Sequence, residues 1–236
     1  MASFLLIHGA SHGAWCWRDL IPALADLGHA ARAIDLPGHG EDATPRAAVT
    51  MELYRDAVVA ALRPGDVLVG HSMGGYPITA AGEAAPELVR ALVYLAAYIP
   101  APGRSLASLR RAEGEQLLDR ASRVADGLVA MDPELSVPLF YNDCPPEAVA
   151  FALPRLTPQP VAPFRARVAV TGRSAGLPRH AVLCTDDRTI LPEFQEAMAA
   201  DLPASAVHRI ACGHSPFLSA PATLAATLDR IAKDLP

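Results

Sequence analysis

Asp66-Val67-Leu68-Val69-Gly70-His71-Ser72-Met73-Gly74-Gly75, continuing through Tyr76 to Ala85, is the stretch whose reading decides the fold. Asp66 to Val69 is a short apolar run of strand length, Gly70 to Gly75 reads as a turn, and Tyr76 to Ala85 continues as a helix. The segment fits Gly-x-Ser-x-Gly, and its setting between a strand and a helix carries more weight than its letters. A tight strand-to-helix turn forces its central serine into a strained, exposed position. It also aims the free N–H groups and positive end of the following helix at that serine. Ser72 is therefore the candidate nucleophile.

Outward from this turn, strands and helices alternate. Ser3 to Ile7 predicts a buried strand ending at His8-Gly9-Ala10, and Trp15 to Leu27 has helical spacing. Ala30 to Ile34 predicts a second strand, stopped by Asp35-Leu36-Pro37-Gly38-His39-Gly40; Met51 to Leu62 is helical, and Ala91 to Ala96 follows as a fourth strand. Such alternation means right-handed crossovers and a parallel sheet covered on both faces. The pattern breaks between about Pro100 and Leu177, where proline is dense and helical stretches such as Ser105 to Leu118 and Pro146 to Leu153 stand out. Strands resume at Ala181 to Cys184 and Ala206 to Ile210, each followed by a helix, near Pro192 to Ala200 and Pro221 to Lys233. The expectation is an α/β fold of about six mostly parallel strands, with residues 1–100 and 178–236 as the core. Residues 101–177 form a helical cap inserted after the fourth strand.

A serine needs a base within reach, and the base needs an orienting acid. His214, in Ala211-Cys212-Gly213-His214-Ser215-Pro216, follows the last strand and can fold back over Ser72. His29 and His180 precede strands, at the wrong ends, His208 lies within one, and His39 sits in a glycine-rich turn. The acid belongs after the next-to-last strand, where Thr185-Asp186-Asp187-Arg188 offers two carboxylates that spacing alone does not separate. A tetrahedral intermediate needs two backbone N–H donors. Met73 supplies one and Ala10 the other, with Gly9 keeping that backbone accessible. His8, His12 and His71 lie close by and read as loop-ordering residues.

Composition excludes other classes. The 236 residues are 51% hydrophobic and 19% charged, enough for a large core. The net charge of −5 and the lack of a basic run give no reason to expect nucleic acid. Cys16, Cys144, Cys184 and Cys212 are widely spaced, with no zinc-type grouping, and read as free thiols. No apolar run is long enough for a membrane span, and no signal-peptide pattern opens the chain, so the cytoplasm is the expected location.

The same residues carry a family resemblance. Ile7-His8-Gly9-Ala10, His12-Gly13-Ala14-Trp15-Cys16-Trp17, Asp35-Leu36-Pro37-Gly38-His39-Gly40 and Gly70-His71-Ser72-Met73-Gly74-Gly75 resemble the plant methyl esterase and hydroxynitrile lyase branch of the α/β-hydrolase superfamily. So do Phe140-Tyr141-Asn142 with Cys144-Pro145, and Thr185-Asp186-Asp187-Arg188 with Phe194-Gln195. The resemblance implies a Ser72-His214-Asp187 triad, a cap whose Tyr141 helps line the substrate pocket beside Gly9, and no cofactor or metal. It also allows a cap-mediated homodimer. The lyases of this branch carry threonine in place of Gly9 and lysine in place of Ser215. Gly9 lacks that hydroxyl and Ser215 lacks that cation. The expected partner is thus a small carboxylic ester, hydrolysed by a serine carboxylesterase. A hydroxynitrile lyase and a slow-turnover, hydrolase-like ligand receptor are the alternatives.

Overall fold

The computed structural model describes residues 1–114 and 117–236. Its main sheet begins with β1 (Ser3–Ile7), which a 3-10 turn (Ala14–Trp17) and α1 (Leu20–Asp26) join to β2 (Ala30–Ile34). Then come α2 (Met51–Ala61), β3 (Asp66–His71), α3 (Gly75–Ala84) and β4 (Val89–Leu95). The cap segment holds α4 (Leu106–Glu113), α5 (Leu117–Arg120), β5 (Ser122–Ala125), β6 (Leu128–Met131), α6 (Pro133–Phe140), α7 (Pro146–Ala152), β7 (Gln159–Pro160) and α8 (Ala162–Arg165). The core resumes with β8 (Arg179–Cys184), α9 (Pro192–Ala199), β9 (Val207–Ile210), α10 (Pro216–Ser219) and α11 (Pro221–Asp234).

Six strands form one sheet in the order β2-β1-β3-β4-β8-β9, and every pairing is parallel. The period of two along each strand divides the core. Phe4, Leu6, Val67, Val69 and Val93 face Trp17, Leu20, Leu24, Leu224 and Leu228 on the side of α1 and α11. Leu5, Ile7, Leu68 and Leu92 face Tyr54, Val58 and Ile78 on the side of α2 and α3. With both faces covered, the inner strands carry apolar runs such as Val67-Leu68-Val69 and Ala91-Leu92-Val93, which is why they were visible in the sequence. All four cysteines are free.

Two expectations change. The helix expected over Trp15 to Leu27 is broken into the 3-10 turn and α1. The cap, expected to be helical, also holds a second sheet of three antiparallel strands in the order β5-β6-β7. Its strands span only four, four and two residues, too short for alternation to register. The hairpin signal was there nonetheless. Asp126 and Gly127, between the paired Ala125 and Leu128, have φ of 50° and 75°, the backbone of a type I′ turn.

The elbow between β3 and α3 is tightly enclosed. A Cβ on Gly74 would lie 2.8 Å from the Ile7 carbonyl oxygen, and one on Gly75 would collide with the Tyr98 carbonyl oxygen. Both obstacles are backbone, so relief requires moving a strand end. Gly75→Ala is therefore expected to destabilise the fold by about 3 kcal/mol, at the upper end for overpacking. Thermal unfolding checks this, with a melting temperature lowered by ~6 °C or more.

Candidate active site

Ser72 sits where β3 ends, with φ of 53°, in the left-handed region that a side chain occupies only under strain of roughly 1–3 kcal/mol. Its carbonyl accepts a hydrogen bond from the Tyr98 N–H at 3.1 Å, which pins the turn to the chain leaving β4. Ser72 borders a cavity between the sheet's carboxyl edge and the cap. Ala10, Met73 and His214 border the same cavity. The fold thus brings to one place residues 10, 72, 73 and 214, which lie on three separate loops.

His214 is buried in the loop after β9, and its Nδ1 lies 2.8 Å from Asp187 Oδ2. Asp187 follows β8 and is also buried. Its Oδ1 accepts the N–H groups of Thr189 and Ile190 at 2.7 and 3.0 Å, and its Oδ2 accepts Gln195 Nε2 at 2.9 Å. Three donors besides the imidazole therefore fix the orientation of this carboxylate. Gln195, on α9, also donates to the Ile190 carbonyl at 2.7 Å and accepts the Cys184 N–H at 3.1 Å, bracing the loop from below. Asp186 is exposed and does not enter this network, its backbone carbonyl accepting Asn142 Nδ2 at 3.1 Å. Burial and bonding, which spacing could not separate, distinguish the two aspartates.

The neighbouring histidines are held neutral. Burial lowers the His8 imidazole well below its ordinary value, and the nearby His39 adds to this. His8 Nδ1–H donates to the Gly9 carbonyl at 2.8 Å, while Nε2 accepts the Leu36 N–H at 3.0 Å. His12 is pushed down to about 4, again chiefly by burial. Its Nδ1–H donates to the Ala10 carbonyl and its Nε2 accepts the Tyr141 hydroxyl, both at 2.8 Å. Burial, followed by the His214 ring, lowers His71 likewise, and its Nε2–H donates to the His214 carbonyl at 2.8 Å. Each ring spends its proton on a loop carbonyl, so these three order backbone. Ala10 has no bond on its own N–H among the described residues. Met73 is the second residue of a 3-10 turn (Ser72–Gly74), whose first N–H groups lack intrahelical partners.

The placement of Tyr141 corrects an expectation. It is not on the cavity wall: its buried hydroxyl is spent on His12, which does border the cavity. Gly9 lies behind the cavity surface, where a Cβ would come within 2.8 Å of His71 Nδ1 and 2.9 Å of Ser72 Cβ. The remaining walls are largely apolar, with Leu106, Leu118, Val129, Met131, Phe140 and Phe164 contributed by the cap. Gln159, on β7, was not anticipated. It accepts His39 Nε2–H at 2.9 Å and the Ser11 N–H at 3.3 Å, and donates to the Tyr54 hydroxyl at 3.1 Å. Its partners lie 120, 148 and 105 residues away along the chain, beyond any local pattern. The Phe140-to-Cys144 segment has a physical role too: Asp143 Oδ2 accepts the Gly213 N–H at 2.6 Å, tying the cap to the His214 loop.

Among the described residues no group of three or more side chains could hold a metal ion, and no helix is long and apolar enough to cross a membrane. A profile of the Alpha/beta hydrolase family matches residues 4–227. The chain belongs to that family. This hydrolase falls in its methylesterase branch. It is 32% identical over 245 residues to Methylesterase 18 of Arabidopsis thaliana, covering 94% of this chain and 93% of that protein. It is 32% identical over 255 residues to Esterase PIR7B of Oryza sativa subsp. japonica, covering 97% and 95%. A pyrethroid hydrolase from Sphingobium faniae JZ-2 has a similar structure, with a TM-score of 0.88 at 27% identity over 99% of this chain and 98% of that one.

Proposed function

We propose that this hydrolase is a serine carboxylesterase acting on small carboxylic esters, with Ser72, His214 and Asp187 as its triad. The observation that carries the reading is the buried His214–Asp187 pair at 2.8 Å, whose His214 borders the same cavity as a strained Ser72. In this mechanism His214 Nε2 takes the Ser72 hydroxyl proton as Oγ attacks the ester carbonyl. The N–H groups of Ala10 and Met73 stabilise the oxyanion. His214 then gives its proton to the departing alcohol, leaving an acyl-Ser72. Water, deprotonated by the same imidazole, releases the acid and restores the serine. Asp187 keeps the proton of the resting imidazole on Nδ1 and stabilises the imidazolium. The relatives' names, a methylesterase and esterases, support ester substrates. The four free thiols support work in a reducing compartment, the cytoplasm.

Lyase chemistry is disfavoured at two positions. A threonine in place of Gly9 would push a Cβ against His71 and Ser72. Ser215 is wholly buried, and no cation stands there to receive cyanide. The deciding assay compares nitrophenol release from short-chain nitrophenyl esters with cyanide release from mandelonitrile. Multiple-turnover nitrophenol release without cyanide is expected. Cyanide release at a comparable rate would overturn the esterase reading, as would tight ester binding with no turnover.

A further inference from the structure

The polar groups on the cavity wall are nearly all engaged within the protein. Gln159, His12 and Thr189 each have identified partners, Thr189 Oγ1 donating to the Leu139 carbonyl at 2.9 Å. Tyr98 differs. It borders the cavity, it is 3% exposed, and its buried hydroxyl has no partner among the described residues. A buried hydroxyl left without a partner costs on the order of 1–3 kcal/mol, whereas phenylalanine in the same place would cost nothing of the kind. Its backbone is bonded to Ser72, so the side chain starts one hydrogen bond away from the nucleophile residue. Burial pushes the phenol well above its ordinary value, so it remains an O–H donor at any working pH.

The surrounding charges restrict what that donor can meet. The ionisable groups acting on it are Glu113, Arg110, Asp187 and Asp119: three carboxyl groups and one guanidinium. Arg110, which also borders the cavity, gives an N–H to Asp119 Oδ1 at 2.5 Å, so its cation is already paired. An anionic ligand group would face a net excess of carboxyls, while an uncharged oxygen would not.

We propose that the Tyr98 hydroxyl donates a hydrogen bond to an uncharged oxygen of the substrate outside the scissile ester, so that preferred esters carry a second oxygen acceptor such as a ketone. Tyr98 is then a specificity residue, and the inference rests on the esterase reading. The hydroxyl without a partner is satisfied when substrate is bound, and an ester lacking that oxygen leaves it unmet.

The test uses the purified full chain and methyl esters of one straight-chain acid. In one set a single ketone is moved carbon by carbon along the chain; the parent ester and the corresponding monomethyl diacid complete the panel. At one ketone position kcat/KM is expected to exceed that of the parent by about tenfold or more, the scale of one hydrogen bond. In Tyr98→Phe that ratio is expected to fall to about one. The same variant is expected to melt higher by ~2–4 °C, because an unmet polar group has been removed. A ratio retained in Tyr98→Phe, a preference for the diacid ester, or a lowered melting temperature would each overturn the inference. Hydrolysis of the parent with no ketone preference also overturns it and leaves the esterase reading standing. Failure to hydrolyse any ester, nitrophenyl esters included, removes both.

Discussion

Ser72→Ala is expected to lower kcat for ester hydrolysis by about 10⁶-fold, with the folded protein intact. The size follows from the chemistry. Without Oγ there is no acyl-enzyme, and the remaining acceleration comes only from substrate binding and the oxyanion donors. The intact fold follows from the backbone. Alanine at φ of 53° carries about the same strain as serine, and the Tyr98 N–H bond to the residue 72 carbonyl does not involve the side chain. Kinetics with a nitrophenyl ester, run beside a thermal melt, check both statements. Full activity in Ser72→Ala would place the chemistry elsewhere.

The second large effect separates the two adjacent aspartates. Asp187→Asn is expected to lower kcat by about 10⁴-fold. An amide can present its NH₂ to His214, which would favour the tautomer whose Nε2 carries the proton and cannot take another from Ser72. Three of the donors now converging on the carboxylate, from Thr189, Ile190 and Gln195, would also meet a poorer acceptor. Asp186→Asn is expected to stay within a few-fold of wild type, since its side chain is exposed and its recorded contact is through the backbone. Steady-state rates of the two variants, measured side by side, test the assignment. Equal losses would mean that the loop, and not one carboxylate, is what matters.

Much of this arrangement could be read before any coordinates. The sheet was legible because β1, β3, β4 and β8 are buried on both faces and therefore appear as unbroken apolar runs. Ser72 and His214 were legible because a parallel sheet delivers its strand ends to one edge, and both residues follow strand ends. Asp187 over Asp186 rested on family resemblance; in the structure, burial of one side chain makes the distinction. The cap resisted for a different reason. Its strands are two to four residues long, and its order comes from contacts such as Gln159 with His39, 120 residues apart. Tyr141 was expected on the pocket wall because the family resemblance places cap residues there. The bond to His12 that draws it behind the wall has no signature in local sequence. Asp126-Gly127 shows the opposite case, a turn signal in plain view whose flanking strands were too short to be credited.

The bond from the Tyr98 N–H to the Ser72 carbonyl, and the close seat of Gly75 under the Tyr98 carbonyl, also bear on how such proteins diversify. The chain starts toward the cap just where it is clamped to the Ser72 turn. A cap changed downstream of that clamp keeps this anchor of Ser72, provided that it also keeps the ties of Asp143 to the Gly213 N–H and of Gln159 to the Ser11 N–H. A chimera that swaps caps between relatives should therefore take its first junction after Tyr98 and keep this short passage native, treating it as part of the frame that holds Ser72 and not of the variable lid.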